Sequence, residues 1–398
     1  MKIKMMKALL ATAAAIGLSC IATQPAAARA KIVLNDVGGV KGSPAELGFK
    51  IAASYWESVL TNDVTLHFNV GFDHLGANIL GGTTSQQITS SIGGYYDALI
   101  KKAASPLDAS VLAHLSPLSS QGSVSALVPG YGNPASLTGV ATTGTRLAPD
   151  GKAISSNLFL TTANAQALGM GGSSVDATIQ FSSDYAFDFN PVNGIKTGES
   201  DFIGIAIHEI GHALGFVSGV DRLDYFAGWS RFRADDYTWA YAADMVRYSG
   251  PDQLNWSFNQ PSYFSIDGGA TVFQGKDYFS TDEYYGDGWQ ASHWKADNTC
   301  GTYVGVMNPY TCDGQTDVIT AADLALMDAI GWNVNVNVLA NGGYKFTTRD
   351  VVQAWVAAGG AVPDPVPEPA NWAMLILGFG AIGAAMRYRN RTQRVRSA

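Results

Sequence analysis

The stretch Glu199–Phe216 constrains this chain more than any other. Ile203, Ile207, Ile210 and Leu214 recur at intervals of four, three and four, which predicts a helix with one core-facing side. His208 and His212, four residues apart, then project from a common face with Cβ atoms about 5–6 Å apart. Glu209 stands beside the first of them. Three residues after His212, Gly215 lets the chain turn sharply and leave the helix.

Two imidazoles so placed can converge on one zinc ion at roughly 2.0–2.1 Å each. A carboxylate beside the first ligand can take a proton from water on that ion. Zinc in a catalytic site uses three protein ligands and one water, so one ligand is missing. His208-Glu209-Ile210-Gly211-His212 with Gly215 is the opening of the metzincin motif, which would place the third histidine at position 218. This chain has Ser218, and a neutral hydroxyl is a poor zinc ligand. His67, His74 and His114 precede the helix, and the only histidine after it is His293. His293 lies in Ser292-His293-Trp294, followed by Val306-Met307-Asn308-Pro309.

A distant third histidine ahead of a Met-Asn-Pro turn resembles the leishmanolysin-like metzincins. His208–Phe216 and Ser292–Pro309 match, with a closing helix at Thr320–Ile330. The resemblance implies an α+β, metzincin-like catalytic domain with a twisted mixed sheet, active-site helix, Met-turn and C-terminal helix. It implies His293 as third ligand, Met307 as the Met-turn residue, and zinc-dependent cleavage of a protein or peptide substrate with Glu209 as general base. Tyr310, three residues after Met307, is a candidate for the oxyanion side. Competing third ligands are Asp221, Asp224 and, in a thermolysin-like scheme, Glu283; a loop carboxylate such as Asp221 also suits a turn cap. The alternative function is a cell-envelope binding or structural protein with architectural zinc. Glu209 separates the two, because a structural site fills its positions with protein groups and has no use for that carboxylate.

Both ends of the chain read as addresses. Lys2, Lys4 and Lys7 precede the apolar run Ala8–Ile21 and the small residues Ala26–Ala30, the pattern of a signal peptide with cleavage after Ala28 or Ala30. The other end runs from Pro367-Glu368-Pro369 through an apolar, glycine-rich segment to Met386 and then an arginine cluster. That tail resembles the PEP-CTERM sorting signal of Gram-negative bacteria. The resemblance implies removal by an exosortase-type enzyme and an extracellular or surface destination; retention as an anchor through 372–386 is the other reading. Cys20 leaves with the leader, and export makes a Cys300–Cys312 disulfide the default over two free thiols.

With the four basic residues of 1–30 and the five of 387–398 set aside, sixteen basic residues stand against thirty-three acidic ones. A surface of that sign repels nucleic acid, so that partner class is excluded. Between the ends, apolar spacing predicts helices at 44–60 and 92–104, and strands at 64–70, 157–161 and 177–182. Residues 115–150 read as mostly loop, and 220–290 as short strands among long loops. Thr320 with Asp323 forms a capping box. The expected organisation is a signal peptide (1–30), the N-terminal part of the catalytic domain with the zinc-binding helix (31–218), and an inserted loop- and strand-rich region (219–291). The third ligand, Met-turn and closing helix (292–335), an extension and linker (336–366) and the sorting tail (367–398) follow.

Overall fold

Two neighbouring strands can run parallel only if a long connection carries the chain back between them. Here β1 (Lys31–Gly38) and β2 (Thr65–Asp73) are parallel, joined by helix α1 (Pro44–Val59). The computed structural model describes residues 29–363 except Asn298. The sorting tail and nearly all of the assigned leader lie outside these residues, as does the span 372–386.

Leu66, Phe68 and Val70 alternate along β2 and are buried, as their spacing predicts. The strand Ala177–Ser182 continues the parallel sheet, and β3 (Gly81–Ser85) closes it as an antiparallel edge. The result is a mixed sheet in an α+β chain. Helix α1 and the histidine-bearing helix Phe202–Leu214 pack on it through edge-on and tilted contacts among Phe49, Phe181 and Phe202, with ring centroids 4.4–5.1 Å apart.

The histidine-bearing helix starts three residues later than its spacing suggests. Ser200–Asp201 is a short strand paired with Phe187–Asp188. Asp201 then caps the helix, its Oδ1 accepting from the N–H groups of Ile203 and Gly204 at 3.1 Å each. At the other end Gly215 adopts φ +121°, and Trp332 Nε1 donates to the Leu214 carbonyl at 2.8 Å.

The Ser-, Gly- and Pro-rich stretch 115–150 is mostly loop, as expected, and carries two short strands. Ala126–Pro129 and Thr145–Leu147 join Arg247–Gly250, Gln253–Asn255, Ser262–Phe264 and Tyr278–Phe279 in a six-stranded sheet. Region 219–291 is thereby built into the body of the fold. At the C-terminal side Val318–Thr320 pairs with Lys345–Thr347 around the helix Ala321–Ala329, whose Thr320–Asp323 capping box forms as expected. No helix among the described residues is long and apolar enough to cross a membrane.

Candidate metal centre

His208, His212 and His293 come together. Their Nε2 atoms are 3.0 Å (208–212), 3.2 Å (212–293) and 3.3 Å (293–208) apart. Each ring is oriented by a backbone carbonyl. His208 Nδ1 lies 2.8 Å from the Val306 oxygen, His212 Nδ1 2.7 Å from Phe216, and His293 Nδ1 3.2 Å from Gln290. A carbonyl only accepts, so each Nδ1 carries the proton and each Nε2 presents a lone pair. Burial pushes His208 down to about 4, and burial with the neighbouring imidazole pushes His212 to about 3. Burial, then the other two rings, holds His293 well below its ordinary range. All three rings are therefore neutral at pH 7.

Three lone pairs facing one another repel unless a cation lies among them. For zinc at roughly 2.0–2.1 Å in tetrahedral array, nitrogens should lie about 3.3–3.4 Å apart. The observed triangle is only slightly tighter, so the donor set fits that ion. Among the described residues these three side chains make up the group. Asp221, Asp224 and Glu283 are engaged elsewhere or open to solvent. Asp221 accepts from Ala291 N–H and the Ser292 hydroxyl, Asp224 accepts from Tyr284 and Tyr285 N–H at 2.7 and 3.0 Å, and Glu283 is exposed.

Ser218, standing where the short motif has its third histidine, is buried. Its hydroxyl donates to Asp244 Oδ1 at 2.6 Å, and its N–H donates to Ser292 Oγ at 2.9 Å. The turn after Gly215 is thus tied to the residue before His293.

Glu209 is buried beside β3. Its Oε2 accepts from Thr83 Oγ1 at 2.7 Å, and a Cβ on Gly81 would lie 3.0 Å from Oε1. Burial lifts its pKa to about 7, against the Thr83 bond, which lowers it. Met307 is fully buried, and a Cβ on Gly211 would meet its sulfur at 2.5 Å, so the thioether packs against the helix between the two histidines. Trp294 N–H donates to the Met307 carbonyl at 3.0 Å, pairing the Met307 turn with the third histidine's segment. Cys300 and Cys312 form a disulfide across that turn. Tyr310 packs on Trp289 and Tyr303, with centroids 5.4 and 5.8 Å away. Burial and then the nearby Asp297 raise its pKa.

Two contributions to the site carry no local sequence signal. Thr83 reaches Glu209 from 126 positions away. Asp323, visible as a cap, also accepts from Trp294 Nε1 at 2.9 Å and from Val306 and Met307 N–H at 3.0 and 3.2 Å. No family model matches the chain, and no curated protein or solved structure matches it.

Proposed function

We propose that the chain is an exported zinc endopeptidase of the metzincin type, leishmanolysin-like in taking its third ligand from beyond a long insertion. The observation that carries this reading is the triangle of neutral, carbonyl-oriented imidazoles, two of them on the same helix as a buried carboxylate. His208, His212 and His293 would hold the ion, and Met307 would pack beneath it.

Zinc, when bound, supplies a Lewis acid that polarises a peptide carbonyl and makes water acidic enough to lose a proton near neutral pH. Glu209 takes that proton at Oε1, the oxygen Thr83 leaves free, and returns it to the departing amine. Thr83 keeps the carboxylate from rotating away. A carboxylate whose proton affinity lies near ambient pH serves both steps, and a cation beside it favours its ionised form.

A peptide substrate is supported by β3. Among the described residues no strand pairs with its outer edge, and it runs beside Glu209 with glycine at 81 and 82. An extended peptide can add to such an edge through main-chain hydrogen bonds. Export is supported by the leader and tail motifs and by the Cys300–Cys312 disulfide, which belongs in an oxidising compartment. An exosortase-type enzyme is the proposed partner for the tail, with membrane contact through 372–386.

The test is cleavage of an unfolded protein by the zinc-loaded, disulfide-intact chain beside Glu209→Gln. Chelator-sensitive cleavage, lost in a variant that still holds zinc, is expected. A zinc-loaded wild type without cleavage would instead favour the binding-protein reading.

A further inference from the structure

The residues just ahead of His293 are held from several sides by groups that are not metal ligands. Ala291 N–H donates to Asp221 Oδ1 at 2.6 Å, and Ala291's carbonyl accepts from Arg247 Nη1 at 3.2 Å. The Ser292 hydroxyl donates to the other Asp221 oxygen and accepts from Ser218 N–H. His293's carbonyl accepts from Ser280 N–H at 3.0 Å, and Ser280's carbonyl accepts from Arg247 Nη2 at 2.7 Å. Arg247 is buried, and Asp221 sits on the short helix Val220–Tyr225 that follows the Gly215 turn.

Asp221 and Ala291 are 70 positions apart in the chain. A ligand brought from so far would ordinarily lose conformational freedom when metal binds, and that loss would weaken binding. We propose that Asp221 is a positioning residue for the third imidazole, clamping Ala291 and Ser292 so that His293 meets His208 and His212 before metal arrives. A carboxylate suits the task because its two oxygens take two donors from consecutive residues at once. Arg247, holding the opposite side of Ala291, also places a positive charge near the half-buried Asp221. Ser218 belongs to the same device. Position 218 fastens the third ligand's segment in place of binding the metal itself.

The clamp stands on the hydrogen bonds alone; its consequence for zinc rests on the metal-centre reading above. The test uses the full chain with the disulfide intact. In the zinc-free wild type, hydrogen exchange should find the Ala291 amide protected. In Asp221→Ala that protection should fall while amides in the helix Phe202–Leu214 stay protected. Zinc affinity, read by competition with a chromophoric chelator, should drop about 10- to 100-fold, the range seen when groups that orient a metal ligand are removed. Asp221→Asn should rescue most of it, because the amide oxygen still accepts from Ala291 and its NH2 can donate to Ser292 Oγ. Ser292→Ala, a milder change, should lower affinity if Asp221→Ala does not fold. Wild-type zinc affinity and unchanged exchange at Ala291 in the alanine variants would overturn the proposal. A wild type that binds no zinc would sink the metal-centre reading instead, with the exchange measurement still deciding the clamp.

Discussion

Changing Asp323 to Asn replaces one oxygen by NH2 at a side chain with no exposed surface. Oδ1 accepts from Trp294 Nε1 and Met307 N–H, and Oδ2 accepts from Val306 N–H and from Thr320 N–H at 2.8 Å. Whichever way the amide faces, two buried N–H donors lose their acceptor and meet another donor. At about 1.5–3 kcal/mol per bond to a charged group, the gross loss is about 3–6 kcal/mol. Burial is the largest influence on Asp323 and raises its pKa, so the native carboxylate carries a desolvation cost that neutral Asn escapes. A net loss of about 2–4 kcal/mol is therefore expected, measured by urea unfolding of the zinc-free protein at pH 7. The same change loosens the Val306 carbonyl that orients His208 and the Trp294 segment that follows His293. Zinc affinity should fall at least about tenfold. A stability change within about 0.5 kcal/mol with unaltered zinc affinity would refute the reasoning that this carboxylate joins the two halves of the site.

Stability should also depend on pH through two buried carboxyls away from the imidazoles. Burial pushes Asp277 up to about 7, and burial followed by the Asp108 charge pushes Asp328 to about 8. Each keeps, when folded, a proton that the unfolded chain releases near pH 4, so stability falls as pH rises from about 4 through those values. Asn at either position should flatten the decline by up to about 1.4 kcal/mol per pH unit; slopes unchanged in both variants would reject the assignment. Gly211→Ala would ordinarily favour a helix by about 1 kcal/mol. Here the new methyl meets the Met307 sulfur, and a destabilisation of about 1–3 kcal/mol in urea melts is expected. A stabilised variant would show that Met307 has room to move.

What the sequence revealed divides along the range of the interactions. The strands Asn157–Thr161 and Ala177–Ser182 and the capped helix after Thr320 are written in local alternation and capping, and they form where those signals lie. Ala126–Pro129 was hidden, because a strand that short is held by its partner Gln253–Asn255 and not by its own pattern. Ser200–Asp201 is likewise hidden, so local spacing alone starts the helix too early. His208 and His212 were legible as a pair because a helix puts them on one face. His293 was reachable only because histidines are scarce and a Met-Asn-Pro turn follows it. Thr83, Ser292 and the second role of Asp323 depend on contacts between distant segments, and nothing in their neighbouring residues announces them.

We infer that three imidazoles, two from one turn of the helix Phe202–Leu214 and one from beyond a long insertion, hold a zinc ion that works with Glu209 on peptide bonds. Zinc titration of the metal-stripped chain beside His293→Ala, with cleavage followed in the same samples, tests it most directly. Wild type should take up a single tightly held zinc ion per chain, with cleavage rising in step with it. His293→Ala should retain its fold, lose tight zinc binding and remain inactive. Full zinc retention and cleavage in that variant, or wild-type cleavage that ignores zinc, would overturn the zinc-peptidase reading.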